Sequence, residues 1–201
     1  LRPYIAVITA TDPDHLDIYG TEEAYLESFA HFTELIQPGG TLIVHEDLKL
    51  RPRPAQGVKV YTYSRDKGDF HASYIRRDTG SITFDIVTPR GTIRNVNLGV
   101  PVEVNIENAI AAAAAVCCTE AFEPEVIRTA LSSYQGTKRR FESWLKERNG
   151  SGRVIIDDYA HHPEELRSSI ASVKALYPGR HLTVAFQPHL YSRTRDFADG
   201  F

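Results

Sequence analysis

Residues 153–165 read RVIIDDYAHHPEE, and the fold turns on them. Val154, Ile155 and Ile156 make a short apolar run between Gly152 and a pair of carboxylates, the pattern of a buried strand in a parallel sheet. Pro163 suits a first helical position, and Glu164 and Glu165 behind it suit the positive end of a helix dipole. Between strand and helix stand Asp157, Asp158, Tyr159, His161 and His162. Polar groups crowded at the C-terminal end of a strand mark the ligand-binding edge of an open α/β sheet. The same residues would also make a solvated turn that ends in a helix cap.

Downstream, the spacing predicts a helix over 163–176 and a further strand over Leu182–Phe186. That strand runs into QPHLYSRTRD, which sets His189, Arg193 and Arg195 at another strand end. Upstream, Phe141–Leu145 reads as a strand joined to Val154–Asp157 by a polar KERNGSG turn. Before it, SYQGTKRRFE breaks a helical run at Gly136 and carries the basic triplet Lys138, Arg139 and Arg140, which alone would be a solvated turn. A domain boundary is expected there, dividing the chain into 1–135 and 136–201.

The first part opens with a βαβ pattern. YIAVIT (4–9) reads as a buried strand leading into TDPDHLDIYG, a loop with Asp12, Asp14, His15 and Asp17. Thr21 can cap the next helix, apolar residues recur from Ala24 to Ile36 at helical spacing, and Pro38-Gly39-Gly40 stops it before the strand Thr41–Val44. Val58–Tyr63, Phe70–Ile75, Ser81–Val87 and Thr92–Val96 alternate apolar and polar residues, which predicts antiparallel strands with one open face. VEVNIENAIAAAAAVCC then makes a small-residue helix, with Asn105 and Asn108 on one side of its first turn. Asn105 caps this helix, or both asparagines face a ligand. A second helix is expected over 125–132. The fold class is therefore α/β: a mixed sheet with antiparallel strands, then the start of a parallel α/β unit.

With 201 residues, a formal net charge of −3 and 42% hydrophobic residues, the chain can bury a real core and gives no reason to expect nucleic acid or an acidic membrane surface as partner. No apolar run reaches membrane-spanning length. Cys117 and Cys118 are adjacent, and neighbours on a helix point about 100° apart, so they suit buried reduced thiols of a cytoplasmic protein. Methionine is absent even from position 1, and an internal piece of a longer protein is expected.

Carboxylates with a histidine suit a divalent cation, and arginine forks suit phosphate or carboxylate. The polar clusters together point to metal-assisted chemistry on an anionic, phosphorylated substrate. No Walker-type glycine loop occurs in these residues.

In this order, TATDPDHLDIYG, QGTKRRFE, IIDDYAHHPEE and FQPHLYSRTRDF resemble the Mur ligase family of peptidoglycan synthesis, over essentially the whole chain. The resemblance implies the later part of a central ATPase domain followed by the start of a C-terminal Rossmann-like domain. It implies ATP and Mg2+ as cofactors and UDP-N-acetylmuramate and L-alanine as substrates, joined through an acyl phosphate on the lactyl carboxylate. It makes His15 a magnesium ligand, Asn108 the contact to adenine with Asn105 as the neighbouring asparagine of the cofactor site, Arg140 a contact to the ATP phosphates and Asp158 a neighbour of the ribose. Tyr159, His161 and His162 would face the substrate cleft, and Arg193 and Arg195 would lie near the substrates. Val104 and Leu190 stand where the family carries a histidine and an arginine. A related family member that joins a tripeptide to UDP-N-acetylmuramate is the alternative, as is a non-catalytic binding module. A piece without the glycine loop is expected to be inactive by itself.

Overall fold

A computed structural model describes residues 1–12, 16–78, 80–120, 122–146, 152–189 and 191–201. The chain opens with β1 (Ile5–Ile8), α1 (Leu16–Tyr19), α2 (Glu22–Glu34), β2 (Thr41–His45) and β3 (Lys59–Tyr63). These three strands form one parallel sheet in the order β1-β2-β3. Thr21 caps α2 as its type predicts, its Oγ1 accepting the Ala24 N–H at 3.2 Å.

Successive strand residues face opposite sides, and the burial follows that alternation. Leu42 and Val44 of β2, with Ala6 and Ile8 of β1, pack against Ala30 and Ile36 on the α2 side. Ile43 points the other way, into the larger core beneath α3 (Val104–Cys117). The parallel sheet is thus covered on both faces, which is what a parallel sheet requires.

A second sheet, antiparallel in the order β4-β5-β6, follows: β4 (His71–Asp78), β5 (Ser81–Thr88) and β6 (Gly91–Asn97). Phe84, Ile86, Ile93 and Val96 bury their side chains in the same core as Ile43, Ile106 and Ile110. Helix α3 spans both sheets, and its alanines 109, 111, 113 and 114 let the backbones come close. Helix α4 (Pro124–Ser133) lies against β6. Gly99 makes that packing possible, because a Cβ there would sit 2.0 Å from the Tyr134 carbonyl oxygen.

Three expectations change here. The segment expected as an antiparallel strand at Val58–Tyr63 is β3, paired parallel to β2 at the edge of the first sheet. An edge strand with one open face shows the same alternation whatever its partner's direction, and residues 46–58 give the length that a parallel crossover needs. The mixed sheet is two separate sheets, linked by the Tyr63–Phe70 bridge. Asn105 does not cap α3: Glu103 is the N-cap, without a side-chain capping bond, and the Asn105 Nδ2 donates to the Val100 carbonyl at 3.0 Å.

Residues from 136 onward build β7 (Glu142–Lys146), β8 (Val154–Asp157), α5 (Pro163–Leu176), α6 (Tyr191–Asp196) and a 3-10 turn at Ala198–Gly200. β7 and β8 pair antiparallel, and Leu182–Phe186 joins no sheet among the described residues. A strand exists only through a partner. The described pairing of β8 is with β7, while a groove of about 560 Å³ is lined by β8, α5 and residues 181–185.

Candidate active site

The loop after β8 is shaped by its own polar groups. Asp158 Oδ1 accepts the Ala160 N–H at 3.1 Å, and Ser169 Oγ of α5 donates to Asp158 Oδ2. His162 is the N-cap of α5, its Nδ1 accepting the Glu164 N–H at 3.4 Å. Glu165 reaches back to complete a capping box, Oε2 accepting the N–H groups of His161 at 2.9 Å and His162 at 3.2 Å. The same carboxylate lies 3.4 Å from His161 Nδ1, which is also 3.2 Å from the Tyr159 carbonyl. His161, His162 and Asp158 are half-buried, while Tyr159 is 42% exposed. Two imidazoles and a carboxylate thus stand fixed around the N-terminus of α5, where the helix dipole favours anions.

The last motif meets this loop from both sides. The Phe197 ring packs edge-on to His162 with centroids 4.7 Å apart, and His189 lies 6.4 Å from Tyr159. Gly200 lies against the Pro163 ring, close enough that a Cβ would be 2.9 Å from it. Arg195 is exposed on α6. The Arg193 side chain and His15 lie outside the described residues. Asp158 lines the groove between β8, α5 and residues 181–185.

From the junction, it is Arg139 that touches the loop. Its guanidinium lies 4.8 Å over the Tyr159 ring, and its carbonyl accepts the Tyr159 N–H at 2.7 Å. Arg140 is exposed, and no side-chain hydrogen bond, ion pair or ring contact ties it among the described residues. The Arg139 contact had no signal in the sequence beyond membership of a basic triplet. The Glu165 box did have one, a polar N-cap followed three residues later by glutamate.

Asn105 and Asn108 sit on α3, in the first part of the chain. Asn108 Nδ2 donates to Asn105 Oδ1 at 3.1 Å, and among the described residues these side chains hydrogen-bond within residues 100–108. The exposed Asn108 amide keeps its oxygen and one N–H available, an acceptor and a donor side by side, the complement of an adenine edge. Next to them the Arg77 fork grips Glu103, Nε to Oε1 at 2.6 Å and Nη2 to Oε2 at 2.9 Å, which holds that carboxyl below its usual pKa. Among the described residues no group of three or more His, Cys, Asp or Glu side chains is placed to hold a metal ion.

The family model described as Mur ligase middle domain matches residues 1–116, and that of the Mur ligase glutamate ligase domain matches residues 139–201. The chain belongs to the Mur ligase family. A UDP-N-acetylmuramate–L-alanine ligase of Phocaeicola vulgatus is 54% identical over 201 residues, which is all of this chain and 43% of that protein. The chain therefore spans less than half of that relative. Among solved structures, the UDP-N-acetylmuramate–alanine ligase of Thermotoga maritima superposes with a TM-score of 0.75 at 21% identity, over 98% of this chain and 44% of that one. The Thermotoga maritima MurF ligase, solved in complex with ADP, gives a TM-score of 0.61 at 21% identity, over 85% of this chain and 39% of its own. The Mur ligase fold of this chain is thus supported by sequence and by shape. No helix among the described residues is long and apolar enough to cross a membrane.

Proposed function

We propose that the whole protein is an ATP-dependent ligase that joins L-alanine to the lactyl carboxylate of UDP-N-acetylmuramate. Residues 1–135 would belong to its central ATP-binding domain and residues 136–201 to its C-terminal domain. The observation that carries this reading is the meeting of three motifs at the N-terminus of α5: Arg139 on Tyr159, Phe197 on His162, and the Glu165 box under both histidines. The relatives' activity and the ADP bound by the MurF neighbour support it.

The residues then divide the work by their chemistry. Asn108, steadied by Asn105, offers its amide to the adenine edge. Asp158, oriented by Ser169 and the Ala160 N–H, presents carboxylate oxygens toward ribose hydroxyls. Arg140 is exposed and uncommitted among the described residues, and its planar fork suits phosphate oxygens. His161, His162 and Tyr159 would face the acceptor, with Arg193 and Arg195 holding its anionic groups. His15 would contribute an imidazole to Mg2+, which when bound offsets charge on the transferring phosphoryl group. In the reaction the carboxylate oxygen takes the γ-phosphoryl group and ADP leaves. The amine nitrogen then attacks the acyl carbon, phosphate departs with the C–O electron pair, and the nitrogen sheds a proton. A ligase that consumes ATP on a nucleotide-linked sugar belongs in the cytoplasm.

The test is phosphate release by the full-length protein with ATP, Mg2+ and UDP-N-acetylmuramate, comparing L-alanine with a tripeptide as acceptor. Alanine-dependent turnover is expected, with kcat/KM for ATP falling about a hundredfold in Arg140→Ala. Turnover with the tripeptide alone, or with neither, would overturn the reading.

A further inference from the structure

The junction segment holds an unusual backbone. Arg139 and Phe141, on either side of Arg140, sit at φ of +58° and +50°, in the left-handed region that bulky residues avoid. Such a conformation persists only where surrounding contacts over-determine it. Those contacts converge on Arg139. Its N–H donates to Glu142 Oε2 at 2.8 Å, its carbonyl accepts the Tyr159 N–H at 2.7 Å, and its guanidinium covers the Tyr159 ring. The Arg140 N–H closes the turn on the Thr137 carbonyl at 3.2 Å. One arginine of the pair is therefore tied to the loop after β8 at both backbone and side chain, while its neighbour is presented outward.

We propose that Arg139 is a positioning residue. By stacking on Tyr159 it locks the left-handed turn onto the β8 loop, and this fixes the direction in which Arg140 projects. The inference rests on the ligase reading for the task of Arg140, but the lock itself is a structural claim. A single arginine cannot both hold the turn against Tyr159 and reach freely for a phosphate. Consecutive arginines separate the two tasks.

The test uses the full-length protein with Arg139→Ala, Arg139→Lys and Arg140→Ala, reading the exchange of the Tyr159 amide and steady-state kinetics with ATP varied. Arg139 is exposed, so folding should survive, and the thermal midpoint checks that. In Arg139→Ala the Tyr159 amide should exchange about threefold faster, because a surface cation–π contact is lost. kcat/KM for ATP should fall about tenfold, less than in Arg140→Ala. Lysine keeps a cation over the ring and should restore part of both. An unchanged Tyr159 amide in Arg139→Ala, whatever the kinetics, overturns the lock and would make Arg139 a direct ligand contact or a bystander. Faster exchange with wild-type kinetics, while Arg140→Ala is impaired, overturns the positioning role and leaves the ligase reading standing. Wild-type kinetics in Arg140→Ala removes the task on which the inference rests, and the assignment of Arg140 falls with it.

Discussion

The two parts of the chain differ most in what they bury. In residues 1–135, Phe84, Ile86, Ile106, Ile110 and Val96 are sealed from solvent in one core under α3, and Leu42 lies in a second under α2. In residues 136–201, the described side chains that reach burial are Pro163, Ser172 and Leu176, all on α5. Trp144, Ile155 and Val184 remain more than half exposed. The first part has a packed interior that fixes its strands, while the second holds its loop in shape mainly through capping bonds, ring contacts and a cation on a ring. Most of the candidate site residues stand on the second kind of support. Polar and ring contacts aim side chains well, yet each is worth little in stability.

The largest effect should come from breaking the first kind. Ile110→Ala deletes buried atoms in the middle of α3, where both sheets meet it, and should cost about 4 kcal/mol. Ile155→Ala, at a residue 52% exposed, should cost below about 1 kcal/mol. Urea titrations of the two variants check the ratio. Equal losses would mean that the second part has a core as decisive as the first.

A smaller effect distinguishes the parts through pH. Burial, with the Glu107 carboxylate as a second cause, pushes the Tyr63 hydroxyl up to about 12. An unfolded tyrosine titrates near 10, so the folded state holds the proton more tightly. Its contribution is complete below about pH 10 and is lost as pH rises through about 12. Raising the pH from 9 to 11 should therefore lower the urea midpoint more in the native chain than in Tyr63→Phe. Hydrogen exchange should show the difference in β3, which Tyr63 ends, and in α3, which shares its core, and not in α5. A difference seen equally in α5 would show that the two parts unfold as one.

What could be read from the sequence follows the same division. The limits of α5, from Pro163 to Leu176, and the Thr21 cap depend on residues adjacent in the chain, so local chemistry was enough. Strand partners were not readable in this way. The KVYTY pattern of β3 says that one face is open but not which strand lies beside it, and Leu182–Phe186 has strand-like residues without a described partner. The motifs showed where the loop after β8 lies and which side chains it carries. They did not show that Arg139 rather than Arg140 meets Tyr159, because that depends on two backbone angles in the left-handed region.

The smallest effect asks whether the second part's polar scaffold can be separated from its chemistry, and His162 is the place to ask. Its Nδ1 accepts from Glu164 as the N-cap of α5, and its ring also packs on Phe197. An asparagine side chain is among the preferred N-caps and can accept the same kind of bond, but it carries no imidazole. His162→Asn should therefore leave α5 within about 0.5 kcal/mol of the native chain, whereas His162→Ala should lose about 1 kcal/mol through the missing cap. Hydrogen exchange over the first turn of α5 reads this difference directly. If His162 serves the acceptor site, ligase activity of the full-length protein should fall in both variants, including the one that keeps its cap. Activity that tracks helix stability, retained in asparagine and reduced in alanine, would make His162 a cap only and leave His161 as the histidine that faces the substrate.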